Sequence, residues 1–400
     1  MLPQKMIALG TKRSVIRELF EYGNRRAAEI GRENVFDFSL GNPSVAPPPA
    51  VEATIRGLLD TESPTALHGY TSAPGAPAVR ETIARYISGT FGVPAAAADL
   101  YLTCGAAASL CICLAALLEP GEEVVTFAPY FPEYKVFAER AGGRFVPVPV
   151  RPTDFQPDAA ALEAALTPKT AIVIVNSPNN PTGAVYTEEA LQQVAEVLRG
   201  AAQRYGHPIY LLADEPYREL VYDDISVPYL PQLYADTLVC YSFSKSLSLP
   251  GERIGYIFVP PAATRSADVM AAVQGAGRAL GYVCAPSLFQ RVIAACQGLT
   301  ADLAVYRENR DCLYEALTAC GFSAVHPDGA FYLFVRSPEP DARAFSERAK
   351  AHELLLVPSD DFGLPGYVRI AYCVDPALVR RSLPAFRALA QEYGLCAADT

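Results

Sequence analysis

The sequence predicts an α/β protein with a large central unit and a smaller second one, and three observations predict it. Short, continuous apolar runs alternate with helical stretches through the middle of the chain, the pattern of a largely parallel sheet covered on both faces. That pattern changes near residue 300. The length, 400 residues, also exceeds what one hydrophobic core usually organises.

Strands are expected at EVVTFA (123–128), FVPVPV (145–150), AIVIVN (171–176), IYLLAD (209–214), LVCYS (238–242) and IGYIFV (254–259), with a helix over 188–206 among them. An apolar stretch, 105–118, is too short for the ~20 residues of a membrane span and reads as a buried helix. After residue 300 an amphipathic helix (301–320) is followed by strand-like FYLFVR and YVRIAY and a final helix (376–393). This gives an N-terminal segment, 1–48, contributing to the small domain, a large domain over 49–295, and a small C-terminal domain over 296–400.

Composition narrows the function classes. Apolar residues make up 51% of the chain and charged ones 19%, the balance of a large water-soluble enzyme. The net charge of −10 disfavours phosphate backbones, so nucleic acid is not an expected partner, and neither is a membrane. The ten cysteines are scattered without a CxxC, and the four histidines stand apart. Reduced, mostly buried thiols in a cytoplasmic protein are expected, with no metal site. No secretory leader is expected at the N-terminus.

In an open α/β sheet the chemistry sits at the carboxyl ends of strands. Lys245 follows LVCYS in FSKSLSLPGERIGY, with Arg253 eight residues on. A lysine at such a mouth is partly desolvated, which lowers its pKa and frees its amine as a nucleophile. Ser242, Ser244 and Arg253 supply the hydroxyls and guanidinium fork that a phosphate dianion needs. Taken alone, Lys245 reads better as a solvated loop lysine. It has company. Asp214 closes an apolar strand, where a carboxylate needs a cation such as a protonated pyridine nitrogen, unless it simply caps the next helix. Tyr217, three residues on, is placed to donate to a phenolate oxygen, and Asn180, in the rigid turn SPNNPTG, to present an amide to a ring oxygen. Gly105, Ala106 and Ala107 open the apolar helix with small residues, suited to an anion at its N-terminus or merely to close packing. Phe131, in PYFPEY, is a stacking platform for a planar ring or a core aromatic.

The ordered set GAAASL, PYFPEY, NSPNNPTG, ADEPY, SFSKSLSLPGERIGY and YVRIAY resembles the class I/II aminotransferases of pyridoxal-5′-phosphate (PLP) fold type I, the aspartate aminotransferase superfamily, from about Asp37 to Ile370. One such motif is weak; all of them in this order are specific. The resemblance implies a large domain with a mainly parallel seven-stranded sheet flanked by helices, plus a smaller α/β domain. It implies that Lys245 carries PLP as a Schiff base and that Asp214 keeps the pyridine nitrogen protonated. Asn180 and Tyr217 match the partners of the ring hydroxyl. Gly105, Ala106, Ala107, Ser242, Ser244 and Arg253 match the phosphate cup, and Phe131 the stacking aromatic. Arg369 matches the clamp on the substrate α-carboxylate, and Gly41, in SLGNPS, a backbone position beside it. Tyr70, in HGYTSAPG, matches a tyrosine that reaches the cofactor phosphate of the neighbouring subunit in a homodimer with shared active sites.

The implied activity is transfer of an amino group between an L-amino acid and a 2-oxo acid by a ping-pong mechanism, with Lys245 carrying the Cα proton as base and then acid. A PLP-dependent lyase or decarboxylase on the same fold remains the alternative, since the motifs fix the cofactor better than the bond that breaks. A transcription regulator carrying this fold is disfavoured, because SLGNPS begins near residue 39 and leaves no room for a preceding DNA-binding domain. Two features depart from the pattern. Ala107 and Ala108 stand where a polar side chain is frequent, and the N-terminal MIALGTKRSVIRELFEYG is expected to be a helix docking on the active site or on a partner subunit. Arg278, in GAGRALG, stands roughly where dicarboxylate-specific members of that family place an arginine that reaches the neighbouring subunit's site, a second guanidinium for an acidic substrate, and is otherwise an arginine at a helix end.

Overall fold

The computed structural model describes residues 2–11 and 14–397; Met1, Lys12, Arg13 and residues 398–400, parts of the expected N- and C-terminal units, lie outside the described residues. Its centre is a seven-stranded sheet. The strands are β1 (Leu100–Thr103), β2 (Glu123–Ala128), β3 (Arg144–Pro149), β4 (Thr170–Asn176), β5 (Tyr210–Asp214), β6 (Thr237–Ser242) and β7 (Gly255–Phe258). They lie in the order β1-β7-β6-β5-β4-β2-β3. Only β7 runs against its neighbours, pairing antiparallel with both β1 and β6.

The central strands form because both of their faces are covered. Val173 and Val175 of β4 enter one apolar cluster, while Ile172 and Ile174, pointing the other way, enter a second on the opposite face. Burying each such side chain contributes roughly 1.5–3 kcal/mol. Helix Glu188–Tyr205 covers one face through Leu191, Val194 and Leu198. Thr187 caps its start by accepting from Ala190 N–H, Glu188 and Glu189 complement its dipole, and Gly206 ends it in the left-handed region. The other face carries the apolar helix Ala106–Leu117, packed against Ser266–Leu280.

A third cluster joins Phe38, and Tyr217, Leu220 and Tyr222 from beyond β5, with residues between Tyr306 and Ala390 around a three-stranded antiparallel sheet, Val357–Pro358, Tyr367–Ala371 and Tyr332–Arg336. Phe36–Asp37 from the N-terminal segment pairs in parallel with Leu354–Leu355. The helix expected from residue 301 starts at Ala304, whose N–H is taken by the Asp302 carboxylate. The N-terminal segment forms two helices, Gln4–Thr11 and Val15–Ile30, the second capped by Ser14.

Candidate active site

Several parallel strands deliver their last residues to one side of the sheet: Asn176 from β4, Asp214 from β5 and Ser242 from β6. β1 turns there through Gly105 (φ 88°) into helix Ala106–Leu117. These ends open onto a cavity of ≈ 380 Å³. Gly41, Ala106, Ala107, Phe131, Asn180, Asp214, Tyr217, Ser242, Ser244, Lys245, Arg253 and Arg369 all line it. Gly105 lies just behind this wall. Tyr70 stands apart from the cavity, 99% exposed on the surface of the chain. Arg278 is also exposed, in the last turn of its helix, and does not line the cavity.

At one end, Ser242 and Ser244 bring their hydroxyls within 2.7 Å of each other, and Arg253 donates to Ser244 Oγ at 3.3 Å. A Cβ on Gly105 would come within 2.8 Å of Arg253 Nη2, so this cradle closes only because residue 105 has no side chain. Two hydroxyls, one guanidinium and the first turn of a helix make an anion seat.

In the middle, Asp214 is buried. Its Oδ2 accepts from the Tyr134 hydroxyl, and Asn176 Nδ2 donates to its backbone carbonyl at 2.9 Å. Its Oδ1 is buried with no partner among the described residues. Burial pushes the carboxyl up to about 7, against the Tyr134 hydrogen bond, which lowers it. An orphaned carboxylate oxygen in an apolar setting is incomplete without a cation or donor. A protonated pyridine nitrogen meets that need, so the residues present fit PLP at both its phosphate and its ring.

Lys245 Nζ donates to the Gly41 carbonyl at 2.7 Å and lies 5.3 Å from the centre of the Phe331 ring. Burial pushes its ammonium down to about 8, and the Arg253 and Arg369 charges act in the same direction. Tyr217 shares a 2.8 Å hydrogen bond with Tyr332. Arg369 is buried, donating to Asn180 Oδ1 at 3.1 Å and to the Ser39 carbonyl at 2.7 Å. Its Nε has no partner among the described residues, which leaves a guanidinium donor for a substrate. Asn180 is itself held by Asn176, whose Oδ1 accepts from its backbone N–H at 2.8 Å.

The structure also brings in residues not singled out from the sequence. Asn176 is the last residue of its strand, and the rule that finds Asp214 finds it too. Tyr134 sits in PYFPEY, three residues past Phe131, with its ring centre 5.7 Å from that of Phe131. Tyr332 and Glu133 line the wall with Leu40, Leu110, Pro216 and Pro250, none of them singled out from the sequence, while Ser14 and Ile16 come from the N-terminal stretch expected to dock on the active site or on a partner subunit. All ten cysteines are free; among the described residues no group of three or more His, Cys, Asp or Glu is placed to hold a metal ion, and no helix is long and apolar enough to cross a membrane.

Comparison with known proteins agrees with this geometry. The sequence matches the family Aminotransferase class I and II over residues 33–386. A putative aminotransferase of Bacillus subtilis, YugH, is 33% identical over 391 residues, covering 93% of this chain and 94% of that protein. The aspartate/prephenate aminotransferase of Thermus thermophilus is 32% identical over 375 residues, covering 91% and 93%. Among solved structures, an amino transferase from Eubacterium rectale superposes with a TM-score of 0.96 at 53% identity, over 98% of this chain and 99% of that one. The aspartate aminotransferase of Thermus thermophilus with maleate gives 0.83 at 28% identity, over 97% and 99%.

The chain belongs to the class I and II aminotransferases, enzymes of PLP fold type I. It is an aminotransferase that uses pyridoxal 5′-phosphate, and the lyase or decarboxylase alternative finds no support among these relatives.

Proposed function

We propose that this enzyme moves an amino group between an L-amino acid and a 2-oxo acid in two half-reactions on one site, with ping-pong kinetics and Lys245 as its catalytic residue. One observation carries the reading: in a single cavity an amine pushed down to about 8 meets a buried carboxylate oxygen of Asp214 that lacks a partner. PLP bound there supplies an electron-accepting pyridinium ring.

The chain's own groups do the rest. Asp214 Oδ1 would hold the proton on the ring nitrogen. Ser242, Ser244, Arg253 and the backbone from Gly105 to Ala107 would hold the phosphate. Phe131 would supply the aromatic face against the ring, and Asn180 and Tyr217 would serve its hydroxyl. Arg369 holds the α-carboxylate through its fixed guanidinium, with the Gly41 backbone beside it. Lys245 Nζ takes the proton from the substrate Cα, which it does near neutral pH because its ammonium is weakened.

The same reading extends to the assembly. The N-terminal segment and residues from 296 onward make the small domain, in keeping with the cluster that joins Phe38 to residues 306–390. The enzyme is a homodimer in which Tyr70, 99% exposed in the single chain, serves the partner's phosphate site. It works in the cytoplasm, where its ten free cysteines stay reduced. The experiment that tests the activity is a panel of amino donors offered to the holoenzyme with 2-oxoglutarate and with pyruvate, followed by keto-acid detection. Transfer by the wild type and none by Lys245→Ala is the expected result; carbon dioxide or ammonia released without a new amino acid overturns it.

A further inference from the structure

Among the described residues, five charged side chains line the cavity: Glu133, Asp214, Lys245, Arg253 and Arg369. The proposed reaction uses four of them. Glu133 has no place in it. This carboxylate opens helix Glu133–Arg140, is partly buried, and has no hydrogen bond or ion pair with any described residue. Burial pushes it above its ordinary value, and among the described residues no cation is paired with it.

Its position is specific. Glu133 lines both the cofactor cavity and an adjoining cavity of ≈ 510 Å³, and Ser14 and Ile16 are shared in the same way, so the two spaces meet at these three residues. The wall leading there is apolar, with Ile16, Leu40 and Leu110. The adjoining cavity carries Glu139, Asp360 and Asp361 as well, but these are paired, Glu139 with Lys5 at 3.2 Å and the two aspartates with Arg343 at 3.7 and 3.5 Å, which leaves Glu133 as the carboxylate there without an ion pair among the described residues. The start of helix Ala106–Leu117, beside the anion seat, offers only alanine methyl groups and no cation for a distal carboxylate.

We propose that Glu133 determines donor specificity, selecting amino acids whose side chain is an aliphatic stem ending in a cation, the lysine, ornithine and arginine class, and turning away dicarboxylates. This rests on the reading of the cavity as an aminotransferase site. The stem lies along the apolar wall and the cation replaces the partner Glu133 lacks. A carboxylate brought by aspartate or glutamate meets like charge in a partly dehydrated place. A glutamate in a first turn also favours its own helix, so the test must read selectivity rather than stability.

The measurement is the single-turnover half-reaction of the holoenzyme with lysine, ornithine, norleucine and aspartate, followed by loss of the cofactor absorbance band. The ratio of kcat/KM for lysine to that for norleucine is expected to fall about ten-fold or more in Glu133→Gln. In Glu133→Lys aspartate is expected to overtake lysine. A wild type that prefers aspartate to lysine, or a Glu133→Gln enzyme with an unchanged lysine-to-norleucine ratio, overturns the assignment while the aminotransferase reading stands. Absence of conversion with every donor overturns both.

Discussion

Arg369 donates to Asn180 at 3.1 Å, and this bond runs from the three-stranded sheet to the loop after β4 of the large one. The group proposed to hold the substrate is thereby aimed by a residue proposed to orient the cofactor. Arg369→Lys is expected to lower kcat/KM for every amino donor by roughly ten- to a hundred-fold, the loss of a charged, forked hydrogen bond. Asn180→Ala is expected to raise KM as well, since it frees the guanidinium from its orienting partner. Steady-state kinetics with one donor at varied concentration check both.

Lys245 is expected to be the sole point of covalent cofactor attachment. Borohydride reduction of the yellow holoenzyme, followed by peptide mapping, places the label on the peptide containing Lys245, and Lys245→Ala takes none. The neutral amine is the attacking species, and its ammonium is pushed down to about 8. Capture of PLP by the apoprotein is therefore expected to accelerate as pH rises through about 8, well below the ordinary lysine range. A rate still climbing at pH 10 contradicts this.

Asp214 makes the apoprotein sensitive to pH. Its carboxyl, ordinarily near 3.8, is held up at about 7 in the folded chain. Between those values the unfolded chain gives up a proton that the folded one keeps, so this group's contribution to stability falls as pH rises from about 4 to about 7. The difference is on the order of a few kcal/mol. Denaturant unfolding of apo wild type and apo Asp214→Asn at pH 5 and pH 8 is expected to show the variant gaining on the wild type at the higher pH. Loaded with PLP, the wild type is expected to lose that disadvantage, whereas Asp214→Asn binds the cofactor more weakly and transfers amino groups far more slowly.

Tyr70 carries the expectation of a shared site. Mixing Tyr70→Phe with Lys245→Ala subunits is expected to restore part of the activity, because some heterodimers then hold one intact composite site. Sedimentation at working concentration is expected to give a dimer. A fully active monomer rules the arrangement out.

Legibility in the sequence followed physical cause. Asp214 stood out because charge at the end of an apolar strand demands a reason; Lys245, three residues past its strand, gained meaning only from Asp214, Asn180 and Tyr217 and from Arg253 eight residues on. Six strands were visible as apolar runs with ends correct to a residue or so. β1 was not, since four residues, LYLT, were absorbed into the approach to a small-residue helix. The reversed direction of β7 leaves no trace in its composition. Tyr332 was hidden because an aromatic in a buried strand looks like core, and its cavity-facing role depends on which sheet that strand joins. Glu133 was hidden for the opposite reason: acidic residues are common in first turns, and only the folded chain shows it without a partner among the described residues.

The anion seat has one more property. Behind Gly105 stands Gly255 of β7, where an added Cβ would meet Gly105 Cα at 3.0 Å and Ser242 Cα at 3.2 Å. Main chain here rests on main chain, with no side chain to exchange. For anyone retailoring this catalyst, the molecule therefore divides into a fixed half and an editable half. Libraries built on Ser14, Ile16, Leu40 and Glu133 vary groups that project from helix starts and loops. A library aimed at accepting a vitamin form without its phosphate can vary Ser242, Ser244 and Arg253, but not the backbone floor beneath them, where Gly105 and Gly255 leave no room for a side chain.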